Sequence, residues 1–111
     1  MNEDKKIRAL QDVNQLLNDF YQSLPLDQIA LQQIVSVTYK TINEPDKLAQ
    51  QYRQVPEAIA RMNKAFERIA LLKQYHFTKQ QAQILAELNN QVRQAFQYGW
   101  IGLIDMPIWF Q

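Results

Sequence analysis

The 111-residue chain contains no cysteine, two glycines and one histidine, and its charges nearly cancel. The absence of cysteine excludes disulfides and thiolate chemistry, and it removes the cross-links on which small secreted domains usually depend. Twelve basic and eleven acidic side chains leave a formal charge of +1. The whole molecule therefore exerts no strong attraction on nucleic acid or anionic lipid, so any electrostatic site must be local.

The residues needed for catalysis are equally scarce. The chain has one histidine, His76, and two serines, whereas nucleophilic catalysis needs a hydroxyl or thiol beside a histidine with an orienting acid. A transition-metal site needs several converging ligands, and both glycines lie too near the C-terminus for a phosphate-binding loop. The sequence thus predicts no enzymatic activity, no cofactor and no metal site. His76 lies between two aromatic residues, for which we predict a structural role.

No segment is long and apolar enough to cross a membrane. The most apolar stretch, residues 100–110, is interrupted by Gly102, Asp105 and Pro107, and it is shorter than the roughly 20 residues that span a bilayer. The charged N-terminus lacks the apolar core of a signal peptide. We therefore expect a cytoplasmic monomer that has no stable membrane anchor and associates with membranes only transiently.

Most of the chain has a helical pattern. Apolar residues recur every three or four positions between proline-containing or glycine-containing joints, good helix formers are abundant, and strand-like alternation is absent. Helices are predicted over about residues 3–24, 27–42, 56–75 and 79–98, followed by a tail over 99–111. The segment 46–54 is compatible with a short helix or a loop. Short connections predict one all-α domain over residues 1–111, an antiparallel up-down four-helix bundle with the apolar C-terminal tail folded back on it.

Local signals set the expected helix ends. Asp27 is a candidate N-cap for the second helix, and Pro56 suits the first position of the third. Thr78 followed by Gln81 predicts a capping box at the start of the fourth helix. Gly99 is placed to end that helix in the left-handed conformation.

Four apolar stripes define the predicted core, one on each helix. From the first to the fourth helix they consist of Ile7, Leu10, Val13, Leu17, Phe20 and Leu24; Leu31, Ile34, Val35, Thr38 and Ile42; Ile59, Met62, Phe66, Ile69, Leu72 and Tyr75; and Ala82, Leu85, Leu88, Val92, Ala95 and Phe96.

The third helix carries a possible basic stripe. Arg61, Lys64 and Arg68 have spacings that place them on one helical face, with Glu57 and Glu67 nearby. We favour a solvated face with ion pairs, and an anion-binding stripe is the alternative. The face lacks the basic excess and the interleaved aromatics typical of nucleic-acid binding, so nucleic acid is not the expected partner.

The tail is a second candidate surface. It holds both tryptophans, and in water it would form an apolar patch of a kind that soluble monomers rarely expose. Eight extended residues reach about 26 Å, close to the length of a helix of about 20 residues, so the tail is expected to cover the bundle. A weakly docked apolar segment with aromatic anchors also suits a partner or a lipid interface. The proposed partner-binding residues are Trp100, Ile104, Ile108, Trp109 and Phe110.

The run that leads into the predicted fourth helix is Leu71-Leu72-Lys73-Gln74-Tyr75-His76-Phe77-Thr78. A helix with Ala82, Leu85 and Leu88 and then Gly99-Trp100 follow it, and the third helix starts at Val55-Pro56-Glu57. In order, spacing and total length, these segments resemble the immunity proteins of pediocin-like (class IIa) bacteriocins. The resemblance covers roughly residues 56–100, whereas before residue 56 only length and helical pattern correspond.

The resemblance implies a cytosolic four-helix bundle without enzymatic activity, made by a Gram-positive bacterium of the lactic-acid type. Such proteins are thought to bind the membrane mannose phosphotransferase permease that the bacteriocin uses as receptor, from the cytosolic side and with bacteriocin bound, and to block pore formation. Selectivity is held largely in their C-terminal half. The alternative is a cytosolic helical adaptor or regulatory protein that binds a protein or nucleic acid through the basic stripe.

Overall fold

Four helices make up the computed structural model, which describes residues 2–96. They are α1 (Glu3–Ser23), α2 (Ile29–Asn43), α3 (Leu48–Leu71) and α4 (Lys79–Ala95), and there is no strand within residues 2–96. α1 packs mainly against α4, and α2 packs mainly against α3. The predicted all-α four-helix bundle is therefore confirmed, whereas the folded-back tail lies outside the described residues.

The bundle has two distinct ends. One, here called the two-loop end, carries both the α1–α2 connection (residues 24–28) and the α3–α4 connection (residues 72–78). The described part of the chain measures 41 × 25 × 19 Å and is therefore elongated. Contacts of Gln81 with Ser23 and of Phe77 with Phe20 place both connections at the same end of it. The opposite end carries the start of α1, the α2–α3 connection and the end of α4.

The core follows the predicted stripes closely. Every predicted core residue is buried or half-buried except Ile7 and Leu72, which are exposed to 41% and 61%. Leu72 is exposed because it lies just past the last residue of α3, where the chain has already left the helix. At the start of α1 it is Lys6, not Ile7, that reaches the bundle, with its Nζ atom 5.3 Å from the centre of the Tyr52 ring.

The predicted start of α3 is wrong. The helix begins at Leu48, and Pro56 lies inside it instead of at its first position. A proline within a helix cannot donate the backbone hydrogen bond and typically costs about 3 kcal/mol. The helix continues through this position because the preceding turn is anchored in the core, where Tyr52 is 8% exposed and Val55 is fully buried.

The second helix also starts later than predicted. Its N-cap is Gln28, which forms no side-chain capping hydrogen bond, and the helix runs from Ile29 to Asn43. Asp27 is not the cap because it lies within the turn closed by the hydrogen bond from the Gln28 N–H to the Pro25 carbonyl, 3.1 Å. Gln32 Nε2 donates to the same carbonyl at 3.0 Å and fixes the turn further.

α3 ends at Leu71, four residues before the predicted end. The N–H of Lys73 bonds to the Ala70 carbonyl at 3.0 Å and the N–H of Gln74 to the Ile69 carbonyl at 3.1 Å, the two bonds of a Schellman motif. Lys73 occupies the left-handed position of this motif, with a φ of 56°. Glycine normally fills this position. Because position 73 is a lysine, the sequence contains no local signal that α3 ends here.

The start of α4 is as predicted, but its end is not. Thr78 and Gln81 form the expected capping box. The helix stops at Ala95 instead of residue 98, because Phe96 is extended and packs its ring against Tyr52 at a centroid distance of 4.5 Å. The Tyr52 hydroxyl donates a hydrogen bond to the Ala95 carbonyl, which satisfies one of the acceptors at the helix end. Gly99 lies outside the described residues.

Candidate functional site

The predicted partner-binding residues of the tail have no described position. Trp100, Ile104, Ile108, Trp109 and Phe110 all lie outside residues 2–96. The surfaces that the structure does describe are the α3–α4 turn, the two-loop end, the basic stripe and a groove between α1 and α2.

In the α3–α4 turn, Phe77 projects into the bundle. Its ring centre lies 5.7 Å from that of Phe20 and 5.3 Å from that of Phe66, and those two rings are themselves 5.4 Å apart. The ring of Tyr75 packs edge-on against Phe77 at 5.4 Å. Offset and edge-to-face pairs at such distances are favourable beyond their buried area. Phe77 therefore seals the two-loop end of the core.

Gln81 fixes the same turn by hydrogen bonds. Its Oε1 accepts from the Thr78 N–H at 2.8 Å and from the Tyr75 hydroxyl at 3.2 Å. Its Nε2 donates to the Ser23 carbonyl at the end of α1, 2.9 Å away. The side chain is 2% exposed, so a buried amide joins the α3–α4 connection to the end of α1. The sequence identified Gln81 as a capping residue but carried no signal of its bond to α1.

His76 is exposed, although both of its neighbours, Tyr75 and Phe77, are half-buried. Its side chain makes no hydrogen bond or ion pair with residues 2–96, so no described contact supports the structural role predicted for it. Within the turn, Phe77 packs against the core and Thr78 caps α4, whereas His76 faces solvent.

Four exposed aliphatic side chains lie at the two-loop end. Leu26 is 92% exposed, Ile29 61%, Leu71 64% and Leu72 61%. They make up half of the large hydrophobic side chains that are exposed within residues 2–96, and we call them the apolar tip. Sequence reasoning missed this surface because it assigned Leu72 to the core and gave the other three no role. The position of Leu26 directly after Pro25, in a helix connection, was the available signal.

The basic stripe lies in solvent. The Arg61 Nη2 atom is 2.6 Å from a carboxylate oxygen of Glu57, and both side chains are 72% exposed. Lys64 and Arg68 are also exposed and form no salt bridge within residues 2–96. Exposed pairs of this kind contribute about 0–1 kcal/mol to stability. The arrangement agrees with the favoured interpretation of a solvated face.

An open groove of about 510 Å³ runs between α1 and α2. Amide and tyrosine side chains line most of it, and no charged side chain of residues 2–96 does: Gln11, Asn14, Gln15, Asn18, Tyr21 and Tyr39. At one end of the groove the amides of Asn14 and Asn43 bond reciprocally at 2.9 Å. The groove suits neutral hydrogen-bonding groups better than ions.

One buried polar pair joins α3 and α4. The Nδ2 of Asn63 donates to the Oδ1 of Asn89 at 2.8 Å, and the two residues are 2% and 5% exposed. The Oδ1 of Asn63 has no hydrogen-bond partner within residues 2–96. Buried polar pairs of this kind favour one helix register over others at some cost in stability.

Within the described residues, no group of three or more histidine, aspartate or glutamate side chains is placed to hold a metal ion. The same part of the chain has no helix of sufficient length and apolarity to cross a membrane. No protein-family model, curated protein or solved structure matches the chain.

Proposed function

We propose that the protein is an immunity protein that protects its cell from a class IIa bacteriocin. It binds the bacteriocin-occupied mannose phosphotransferase permease from the cytosolic side and blocks pore formation. The observation that carries the proposal is the segment Leu71 to Thr78, which resembles this family and here comprises the last residue of α3 and the turn before the last helix of a four-helix bundle.

The proposed mechanism is binding without catalysis. The bundle serves as a scaffold, and the tail residues Trp100, Ile104, Ile108, Trp109 and Phe110 recognise the target together with the adjoining surfaces of α3 and α4. Aromatic anchors of this kind carry much of the energy at protein interfaces. The protein is proposed to be a cytoplasmic monomer that joins the membrane firmly only when its receptor is engaged.

A protection assay tests the proposal. The full chain is expressed in a strain sensitive to class IIa bacteriocins and challenged with a panel of them, beside an empty-vector control and a Trp109→Ala variant matched for protein level. We expect resistance to some bacteriocins and not others, and weaker resistance with the variant. Absence of protection against every member of a broad panel would overturn the proposal.

The second candidate is a cytosolic adaptor or regulatory protein that uses the basic stripe. It is supported by the exposure of Lys64 and Arg68, which have no carboxylate partner within residues 2–96. Three phosphate contacts on duplex DNA would give a slope of about −2.7 in a plot of log affinity against log salt concentration. Fluorescence anisotropy with labelled duplex DNA measures this slope, and no binding at low ionic strength excludes the nucleic-acid form of this candidate.

A further inference from the structure

The apolar tip combines two connections that are distant in sequence. The hydrogen bond from Gln81 to Ser23, 2.9 Å, and the packing of Phe77 on Phe20, 5.7 Å, hold the α1–α2 and α3–α4 connections at one end of the bundle. Leu26 and Ile29 come from the first connection and the start of α2. A flat surface that meets this end of the molecule can contact both connections at once.

The charges on the two connections that carry the tip are mainly positive. Within residues 24–29 and 71–79 the charged side chains are Lys73, Lys79 and Asp27, and all three are exposed. Lysine can keep its aliphatic stem along an apolar surface while its amine reaches an anionic group. Apolar side chains that enter the boundary between headgroups and acyl chains, next to lysines that reach lipid phosphates, are typical of peripheral membrane binding.

A second copy of the chain fits the tip less well. A symmetric dimer would use the same patch on both copies. It would bring Lys73 and Lys79 of each copy against a patch that is itself net positive, and like charges across an interface are unfavourable. An anionic bilayer complements both the aliphatic and the basic side chains.

We propose that the apolar tip is a membrane-contact surface for anionic lipid. Leu26, Ile29, Leu71 and Leu72 enter the interfacial region, and the amines of Lys73 and Lys79 contact lipid phosphates. Insertion is shallow, because irregular backbone does not enter the hydrocarbon core exposed to lipid. The contact is reversible, since durable attachment takes stronger or additional signals. This inference does not depend on the proposed immunity function.

Co-sedimentation with vesicles measures the contact. The full chain is mixed with vesicles of phosphatidylcholine alone or of phosphatidylcholine and phosphatidylglycerol in equal parts. We expect binding to the anionic vesicles that weakens as salt is raised, and little binding to the neutral ones. The double variant Leu71→Ser with Leu72→Ser should lower the partition coefficient about tenfold or more, because apolar surface that enters the bilayer is lost. Val37→Ser is the matched control: Val37 is 62% exposed but lies within α2, away from the tip, and its partition should change less than about twofold.

The lysines have their own matched control. Lys73→Glu with Lys79→Glu should abolish the preference for phosphatidylglycerol, whereas Lys47→Glu with Arg53→Glu, two exposed positions near the start of α3 that change the net charge equally, should leave most of it. Equal losses from both reversals would mean that attraction depends on overall charge alone and would overturn the proposal.

A fluorescent label reports the position of the tip directly. Because the chain has no cysteine, Leu26→Cys and Val37→Cys each provide a single site for an environment-sensitive fluorophore. Anionic vesicles should shift the emission to the blue at position 26 and leave it unchanged at position 37. Vesicle binding without a shift at position 26 would mean that another part of the chain, such as residues 97–111, contacts the lipid, and it would overturn the proposal.

Two further outcomes would assign the tip to a protein contact instead. A dimer seen by sedimentation velocity without lipid, and lost in the Leu71→Ser and Leu72→Ser variant, would make the tip a self-association surface. A clear fall in thermal stability of that variant, with vesicle binding unchanged, would mean that the chain's own tail covers the tip. Either result contradicts a membrane contact.

Discussion

The side-chain amide of Gln81 donates a hydrogen bond from Nε2 to the backbone carbonyl oxygen of Ser23 over 2.9 Å, and so joins the start of α4 to the end of α1 across 58 positions of sequence. The same side chain accepts bonds from the α3–α4 turn through Oε1. Its removal takes a hydrogen-bond partner away from three groups at once, which belong to the half-buried residues Ser23 and Tyr75 and to Thr78.

Gln81→Met keeps roughly the same volume but removes these bonds. We expect the free energy of unfolding to fall by about 1–3 kcal/mol, since three hydrogen bonds are lost and each contributes about 0.5–1.5 kcal/mol or less where it is partly exposed. Urea denaturation followed by circular dichroism measures the change. Gln83→Met, on an exposed position of the same helix, should stay within about 0.5 kcal/mol. Equal effects of the two variants would show that the hydrogen bonds of the Gln81 side chain contribute little.

Phe77→Ala should destabilise the bundle by about 2–4 kcal/mol. The ring contacts Phe20, Phe66 and Tyr75, and loss of a large aromatic leaves a cavity that the neighbours fill only in part. Because Phe77 is half-buried, the cost lies toward the lower part of the range known for fully buried rings. His76→Ala is the neighbouring control and should leave the unfolding midpoint nearly unchanged. A small effect at position 77 would mean that its ring is not part of the core in solution.

Lys73→Gly should stabilise the protein by about 0.5–1 kcal/mol. Lys73 has a φ of 56°, a conformation that is unfavourable for residues with a β-carbon and readily adopted by glycine. Lys73→Ala removes the same charge but keeps the β-carbon, so it should give no comparable gain. Thermal unfolding of the unaltered protein and of the two variants measures the effect. Similar melting temperatures for the glycine and alanine variants would argue against backbone strain at this position.

Asn63→Leu and Asn89→Leu should each destabilise the protein by about 1–3 kcal/mol, because each removes one partner of a buried hydrogen bond. The double variant should lose less than the sum of the two, since two facing leucines leave no unpaired amide. A double-mutant cycle from urea denaturation should give a coupling of about 0.5–3 kcal/mol. Strict additivity would show that the two amides act independently.

Removal of residues 103–111 should separate folding from recognition. The described core ends at Phe96, which is 1% exposed and stacks on Tyr52, so helical content and cooperative unfolding should persist with a loss of about 1–3 kcal/mol from a few apolar side chains. Protection against the cognate bacteriocin should fall sharply. A truncated protein that does not fold would make the tail part of the core, and one that folds and still protects would place recognition on the helices.

Much of the fold followed from local pattern. The spacing of apolar residues placed nearly every core position correctly, because a helix that buries one face must repeat them every three or four positions. The capping box of Thr78 and Gln81 was also predicted correctly, since both partners lie within one turn of each other. Of the candidate sites, the basic stripe was found as an exposed face on α3, whereas the apolar tip was not anticipated at all.

Helix formation, the apolar stripes and the α4 cap each depend on residues a few positions apart. The sequence by itself therefore determined them. Tertiary contacts decided the rest. Burial of Tyr52 and Val55 carries α3 through Pro56 against its local preference, and Phe77 is in the core because Phe20 and Phe66 leave space for it between helices. The apolar tip exists only because folding brings residues 26 and 71 to the same end of the bundle, and no local pattern records a contact between residues so far apart in sequence.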